Sequence, residues 1–326
     1  MKPDTVRWGF IGCGDVTEVK SGPAFKKVAN SQVVAVMRRD GEKAKDYASR
    51  HNIPKWYDDA DKLISDPDIN AIYIATPPAF HCKYTIKAAN AKKAVYVEKP
   101  MARNYEECLK MIKVCKENKV PLFIAYYRRY LPKFLKVKKL IETGEIGNVR
   151  FVKILLLKAL QIRNDQKQNL PWRVIPEISG GGHFIDLASH QFDYLDFMFG
   201  PIKNANSIRK NISKSYDADD YLSANYEFEN GIMGSGVWYF SIGKEFEKDE
   251  IEIVGEKGKI VFSTFDGKQI ELVTKKGIKK YNEKFPKNVQ LPLIQAVVDD
   301  LRNKGKCHST GDSAARTNRV IDIIQN

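Results

Sequence analysis

The sequence predicts two domains, an α/β domain with a mostly parallel sheet and an α+β domain with a largely antiparallel, open sheet. Strand-like and helix-like segments alternate over residues 1–125, which is the pattern of right-handed βαβ units. Strand patterns joined by short turns dominate residues 126–326. The length of 326 residues fits two domains of roughly 150 residues each.

Apolar segments rich in β-branched residues predict the strands of the first domain. These strands are expected at residues 6–11, 32–37, 70–75, 94–97 and 120–125. Helical composition covers residues 15–30, 40–51, 80–90 and 105–118. The first helix is expected to break at Ser21-Gly22-Pro23, because proline can only restart or kink a helix.

The second domain is expected to contain a sheet of hairpins. Its strands are predicted at residues 149–160, 220–228, 232–241, 250–254, 259–262 and 269–274. Glu229-Asn230-Gly231, Asp266-Gly267 and residues 255–258 are typical of hairpin turns. One strongly helical segment covers 183–199, and helices over 291–303 and 313–324 close the chain, the last being a candidate to return to the first domain.

The charge of the chain first raises the question of nucleic-acid binding. Lysine and arginine number 54 against 40 acidic residues, a net charge of +14. The lysines are spread along the chain, with short clusters only at 136–139 and 275–280, and no basic arm or zinc-finger spacing accompanies them. We therefore expect no nucleic-acid partner, but a solvated surface whose field also attracts anionic ligands.

The cysteines and the apolar runs of the sequence indicate the cellular compartment in which the protein is expected. The five cysteines are scattered with no C-x-x-C pair, so reduced thiols and a cytoplasmic location are expected. Apolar runs such as residues 154–157 are far short of the roughly 20 residues that span a bilayer, so no membrane partner is expected. Met1-Lys2-Pro3-Asp4 leads directly into the first strand pattern, so no signal or transit peptide is expected.

A glycine pair stands where the first strand turns into the first helix. In Gly12-Cys13-Gly14-Asp15-Val16, the first glycine would make the tight turn and the second would let the backbone approach a pyrophosphate. The third position of the G-x-G-x-x-G pattern is Thr17, so the match is incomplete. The position of the pair favours a dinucleotide site over a simple turn.

The end of the second strand predicts which nicotinamide cofactor binds. It runs into Arg38-Arg39, with Asp40 as the first acid and Lys43 one helical turn later. Arginine pairs well with a 2′-phosphate, whereas an acid would bind the ribose hydroxyls of NAD. The pattern favours NADP, with NAD as second choice; the alternative is an exposed basic turn in which Asp40 caps the next helix.

Five motifs, in order, resemble the Gfo/Idh/MocA oxidoreductase family, named for glucose–fructose oxidoreductase and inositol dehydrogenase. The motifs are Gly9-Phe10-Ile11-Gly12-Cys13-Gly14, Ala75-Thr76-Pro77-Pro78-Ala79-Phe80-His81, Glu98-Lys99-Pro100, Gly144-Glu145-Ile146-Gly147 and Gly180-Gly181-Gly182-His183-Phe184-Ile185-Asp186-Leu187-Ala188-Ser189-His190. The resemblance covers essentially the whole chain and implies a Rossmann domain followed by a substrate-binding and oligomerisation domain.

The resemblance implies a catalytic group of Lys99, Asp186 and His190. Oxidation of a secondary alcohol by nicotinamide needs a group that removes the hydroxyl proton, which is the role expected of Lys99. Asp186 and His190 are four residues apart, so a helix presents both on one face, where they could hold the substrate oxygen and relay the proton. The alternative for Lys99 is an ordinary exposed surface lysine, and the alternative for Asp186 and His190 is a polar pair on the surface of a helix.

Further site residues are expected on the same basis. The cofactor set also includes Thr76, Pro77, His81, Glu98 and, beside its catalytic role, Lys99. The substrate set includes Arg128, Trp172, Arg173 and His183 beside the catalytic pair. A surface salt bridge would explain Arg128 equally well. For Trp172-Arg173, the alternative is an aromatic side chain that covers the seam between the two domains. His183, Asp186 and His190 also have the spacing of a zinc-binding face, but we expect no metal.

The sequence thus predicts an NAD(P)-dependent oxidoreductase acting on a sugar, polyol or related cyclic alcohol. Two alternatives remain within the family it resembles, a glycoside hydrolase that works by transient oxidation with retained NAD, and a non-catalytic dinucleotide sensor. The resemblance also implies a homodimer or homotetramer formed through the second sheet, since an uncovered face would expose an apolar patch.

Overall fold

A computed structural model describes residues 3–160 and 170–326 of the chain. These residues form two compact units. The first comprises residues up to 127 together with 286–315, and the second comprises 128–285 together with 316–326. No helix within the described residues is long and apolar enough to cross a membrane.

The first unit is built on a six-stranded sheet in which every pair of neighbours is parallel. The strands are β1 (Val6–Ile11), β2 (Ser31–Met37), β3 (Lys55–Tyr57), β4 (Ala71–Ile74), β5 (Ala94–Val97) and β6 (Leu122–Ile124). Their order, β3-β2-β1-β4-β5-β6, places the switch in winding direction between β1 and β4, where open α/β sheets bind ligands. The predicted Rossmann architecture is confirmed.

Helices connect these strands. They are α1 (Asp15–Val19), α2 (Gly22–Phe25), α3 (Gly41–Arg50), α4 (Ala60–Ser65), α5 (His81–Asn90) and α6 (Tyr105–Glu117), with α10 (Leu291–Leu301) added from the later part of the chain. The predicted break of the first helix is confirmed, because α1 ends at Val19 and α2 restarts with Pro23 in its first turn. The short β3 and α4 were not predicted.

The second unit is built on an eight-stranded mixed sheet. Its strands are β7 (Val149–Ala159), β8 (Ile202–Lys210), β9 (Tyr221–Phe228), β10 (Met233–Ile242), β11 (Lys248–Gly255), β12 (Gly258–Phe262), β13 (Ile270–Thr274) and β14 (Gly277–Tyr281). The order is β14-β13-β12-β11-β7-β10-β9-β8, and all neighbours are antiparallel except β7 and β10. The largely antiparallel sheet is as predicted.

One face of the second sheet is packed against the helix that carries Asp186 and His190. The helices of this unit are α7 (Pro132–Glu142), α8 (Pro176–Ser179) and α9 (Gly182–Phe199), while α11 (Gly311–Gln325) contributes residues to both units. Phe184 and Phe192 of α9 meet the buried Trp238 of β10 at ring distances of 5.2 and 5.4 Å. This contact fixes α9 on the sheet and thereby orients Asp186 and His190.

Candidate active site

The turn after β1 has the shape of a phosphate cradle. Gly12 has φ +92°, and a Cβ there would lie 2.9 Å from the carbonyl oxygen of Ala75, so only glycine fits. Gly14 precedes α1, and a Cβ there would meet open space. Asp15 and Val16 form the first turn of α1. The open backbone at Gly14 fits the close approach that a pyrophosphate requires.

Thr17, where the fingerprint would have its third glycine, takes part in the turn. Its side chain is buried, and its hydroxyl donates to the carbonyl oxygen of Gly14 at 2.7 Å. The hydroxyl of Tyr47 donates to the carbonyl oxygen of Thr17 at 3.0 Å, while Gly22 packs so tightly on that carbonyl that a Cβ would approach to 2.1 Å. Thr17 therefore fits between helix and sheet and also ties α1 to the glycine turn.

The basic residues after β2 border the same turn. Arg38 donates from Nη1 to the carbonyl oxygen of Cys13 at 3.3 Å, and the Arg39 guanidinium lies 5.7 Å from the centre of the Phe80 ring. Asp40 caps α3, accepting from the Lys43 backbone N–H at 3.2 Å, and forms a 3.0 Å ion pair with the Lys43 ammonium. The first carboxylate after β2 is therefore engaged in helix capping, the alternative role foreseen for it.

His81 joins the turns that follow β4 and β5. Its fully buried ring places Nε2 2.7 Å from the carbonyl oxygen of Thr76, and Nδ1 3.1 and 3.2 Å from those of Pro100 and Met101. Burial lowers the pKa of His81. The ring is thus a clamp between the Thr76-Pro77 turn and the backbone that follows Lys99.

Glu98, the first residue of the Glu98-Lys99-Pro100 motif, is held from two directions. Its buried carboxylate oxygen Oε1 accepts from the hydroxyl of Tyr73 at 2.5 Å and from the side-chain amide of Gln290 at 2.8 Å. These bonds fix the end of β5, from which the half-buried Lys99 follows. Neither Tyr73 nor Gln290 was predicted as a partner of Glu98. They lie 25 and 192 residues from it along the chain.

The start of α9 depends on three successive glycines. Gly180, Gly181 and Gly182 have φ values of +91°, +145° and +75°, which side chains rarely adopt. A Cβ at Gly182 would also come within 2.5 Å of the Ala218 Cβ. The triple glycine therefore brings α9 against the loop before β9 and sets the direction in which its first residues project.

Three polar residues of α9 that the sequence singled out have different surroundings. Asp186 is half-buried, and its Oδ2 lies 3.6 Å from Nε of Arg173, which itself stacks 4.5 Å from the Trp172 ring. His183 is buried against the rings of Tyr216 and Phe240 at 5.8 and 5.6 Å. Burial lowers the pKa of His183, which favours a neutral imidazole.

His190 is buried one helical turn after Asp186, with its ring 5.9 Å from that of Phe265. Asp186 and His190 therefore share one face of α9, as predicted from their spacing. Arg128 is buried, donates from Nε to the carbonyl oxygen of Thr264 at 3.1 Å and stacks 4.6 Å from the Phe265 ring. Within the described residues, no three His, Cys, Asp or Glu side chains are grouped as a metal site.

The six-stranded parallel sheet and the glycine turn after its first strand are the architecture of a dinucleotide-binding domain. The model of the oxidoreductase family with an NAD-binding Rossmann fold matches residues 6–126, and the model of the Gfo/Idh/MocA C-terminal domain matches residues 134–261. The chain belongs to the Gfo/Idh/MocA family. It is an NAD(P)-dependent oxidoreductase, as the five motifs predicted.

Known relatives agree with this membership. Oxidoreductase P35 from Formosa agariphila is 40% identical over 321 residues, which cover 98% of each chain. The trans-1,2-dihydrobenzene-1,2-diol dehydrogenase of Danio rerio is 26% identical over 260 residues, 78% of this chain and 73% of its own. Levoglucosan dehydrogenase, solved with NADH and levoglucosan, matches with a TM-score of 0.88 at 22% identity, over 98% of this chain and 96% of its own, which shows a common fold.

Proposed function

We propose that the protein is a dehydrogenase or reductase that moves a hydride between NADP and a secondary alcohol or carbonyl of a sugar, polyol or related cyclic alcohol. The observation that carries this proposal is the shared face of Asp186 and His190 on α9, in a chain of this family. Levoglucosan and dihydrobenzenediol, named for two relatives, are both ring compounds with secondary hydroxyls. Their shared chemistry supports this substrate class.

Lys99 is the proposed acid/base. A bound nicotinamide would supply the hydride acceptor for oxidation at the carbon that bears the hydroxyl, and the hydride donor for the reverse reduction. In oxidation, the neutral amine of Lys99 takes the hydroxyl proton; in reduction, its ammonium donates a proton to the carbonyl oxygen. Asp186 and His190 hold the substrate hydroxyls by hydrogen bonds and relay the proton. Trp172, Arg173 and His183 are proposed to contact the rest of the substrate.

Replacing Lys99 tests this assignment directly. We expect Lys99→Met to lower kcat by about 10²- to 10⁴-fold, the usual contribution of a positioned proton-transfer group, with little change in cofactor affinity. Lys113→Met, on the exposed side of α6, is the matched control. Hydride transfer would be followed by nicotinamide absorbance across a panel of aldoses, anhydrosugars and polyols. A Lys99→Met enzyme as fast as wild type would contradict the role of Lys99.

The preference for NADP rests on charge after β2. Arg38 and Arg39 supply two guanidinium groups there, while Asp40 is occupied by the cap of α3. NADPH and NADH would be titrated against wild type, Arg38→Ala and the control Lys45→Ala, which removes an exposed charge from α3. We expect wild type to prefer NADPH and only Arg38→Ala to lose that preference. Tighter binding of NADH by wild type would contradict the proposal.

The two alternatives give different results in the same assays. Release of a monosaccharide from glycosides without net change in nicotinamide absorbance would identify a glycoside hydrolase with retained cofactor. Cofactor binding without turnover of any compound in the panel would identify a sensor. Both outcomes would contradict net hydride transfer.

We further propose that a second copy of the chain covers the outer face of the second sheet. That face carries a groove of about 400 Å³, lined by Leu155 and Val237 among others, and Ile208 at its border is 72% exposed. Apolar side chains on an open face are stabilised by a partner. Light scattering at micromolar concentration should give a dimer or tetramer, and Ile208→Asp should shift the population towards monomer. A monomeric wild type would contradict this proposal.

A further inference from the structure

The loop between β12 and β13, residues 263–269, is bound by buried side chains of the second unit. The buried carboxylate of Asp249 accepts two successive backbone N–H groups, from Thr264 at 3.0 Å and from Phe265 at 2.5 Å. Charge-assisted bonds of this kind are stronger than neutral ones. Asp249 therefore fixes the backbone at the residue whose ring meets His190.

Three more buried side chains bind the same loop. Gln191 donates to the Thr264 hydroxyl at 3.1 Å, and Lys133 donates to the hydroxyl of Ser263 at 2.6 Å. Arg128 donates to the carbonyl oxygen of Thr264 at 3.1 Å. Taking two cations and a carboxylate out of water is costly, and a buried network of hydrogen bonds of this kind makes a segment rigid. A simple turn between strands does not require it.

The network holds the Phe265 ring in contact with two functional groups. The Arg128 guanidinium lies 4.6 Å from the ring centre. The imidazole of His190 lies 5.9 Å away at an interplanar angle of 71°, an edge-to-face contact. Arg128 also stacks over Phe134 at 6.0 Å, so its own position is fixed. The ring can therefore restrict the rotation of the His190 side chain.

We propose that Phe265 is a positioning residue for His190, held in place by Asp249 and Arg128. The proposal rests on the function proposed for His190 and extends it. An imidazole that relays a proton must keep one ring orientation while its hydrogen-bond partners change. Phe265 supplies a fixed wall that has no proton of its own to exchange, and the buried network keeps that wall from moving.

The first test is kinetic and uses a matched aromatic contact as control. Phe265→Leu keeps an apolar side chain but loses the ring, and we expect kcat to fall about three- to tenfold, the worth of an aromatic pair, with cofactor affinity unchanged. Phe265→Tyr keeps an aromatic ring and should therefore retain most of the wild-type kcat. The control is Phe199→Leu, because Phe199 is also half-buried, lies on α9 and makes an edge-to-face contact, with Phe228 at 5.6 Å. It should leave kcat unchanged.

The second test asks whether Phe265 acts through His190. In a His190→Asn background, Phe265→Leu should cause no further loss of kcat, because the group that it positions is gone. Equal losses in the two backgrounds would overturn the proposal. So would a Phe199→Leu enzyme impaired as strongly as Phe265→Leu.

The third test needs no turnover. The chain has five histidines, so the His190 imidazole can be identified in a two-dimensional ¹H–¹⁵N spectrum by its loss in His190→Asn. Phe265→Leu and Asp249→Asn should shift or broaden this signal, and Phe199→Leu should not. A His190 signal that is the same in all variants would overturn the proposal. An inactive wild type with the expected spectral changes would instead count against the proposed enzymatic function.

Discussion

Replacing Asp193 by asparagine tests whether a buried ion pair supports the helix that carries the site. Asp193 of α9 and Arg129 form a two-pronged contact, with N–O distances of 2.8 and 2.7 Å, and both side chains are almost completely buried. Asp196 lies 3.6 Å from the same guanidinium and is itself paired with Arg316 at 2.7 Å. After Asp193→Asn, the carboxylate among these residues that still faces Arg129 is that of Asp196, at 3.6 Å.

The size of the effect follows from burial. Removing one member of a buried pair costs about 3–5 kcal/mol, and the partial compensation by Asp196 places our expectation near the lower value, about 3 kcal/mol. Unfolding entropy is about 2.1 cal/mol/K per residue, or about 0.36 kcal/mol/K for a second unit of about 170 residues. The expected fall in Tm is then about 8 °C if this unit unfolds alone, and about 4 °C if the whole chain unfolds together.

Scanning calorimetry and urea titration would measure these quantities. The control is Glu227→Gln, which removes an exposed ion pair with Lys203 at 3.9 Å and should leave stability unchanged. The double variant Arg129→Met with Asp193→Leu should recover most of the loss, because it removes both buried charges. A fall in Tm below about 1 °C for Asp193→Asn, or a double variant no more stable than the single one, would refute the reasoning.

Two further predictions concern the glycine turn and a buried lysine. Gly12→Ala should lower the free energy of unfolding by about 1–3 kcal/mol because of the positive φ of Gly12. Gly14→Ala should leave stability unchanged and weaken NADPH binding, because a Cβ there meets open space in the protein but lies where a pyrophosphate would approach. Calorimetry and cofactor titration measure the two effects, and equal losses of stability would contradict the different roles given to the two glycines. Burial lowers the pKa of Lys133 to about 8, so between pH 8 and the ordinary lysine value of 10.5 the unfolded chain binds the additional proton and stability should rise with pH. Urea titrations should show a smaller rise for Lys133→Met than for wild type or for Lys139→Met, an exposed control on α7; parallel pH curves would contradict the shift.

The sequence predicted strands of two kinds, those buried on both faces and those whose burial alternates along the strand, such as β9. All four residues of β4 are buried, and a continuous apolar segment is visible without knowledge of its neighbours. β8 escaped prediction because Ile202 is its one fully buried residue, and the rest of the strand reads as a polar loop. α7 escaped because its lysines appeared as a charge cluster, although Phe134, Val137 and Leu140 form a buried stripe between them.

The candidate site divides in the same way between local and distant interactions. The spacing of Asp186 and His190 on one helix is a local property, so the sequence predicted that they share a face. The groups that hold site residues in place come from elsewhere in the chain. Gln290 is 192 residues from Glu98, and Arg128 is 136 residues from Thr264. No periodicity relates residues at such separations, and they become neighbours only through the order of the strands.

Thr17 illustrates what a motif constrains and what it leaves open. At the third fingerprint position, a small residue is enough to let helix and sheet pack closely. In the structure, the Thr17 hydroxyl also satisfies the Gly14 carbonyl at 2.7 Å, and Tyr47 from α3 satisfies the carbonyl of Thr17. Glycine would pack equally closely but would leave the Gly14 carbonyl without this bond. The fingerprint therefore restricts volume at this position, while α3 and the glycine turn determine which small side chain stabilises it.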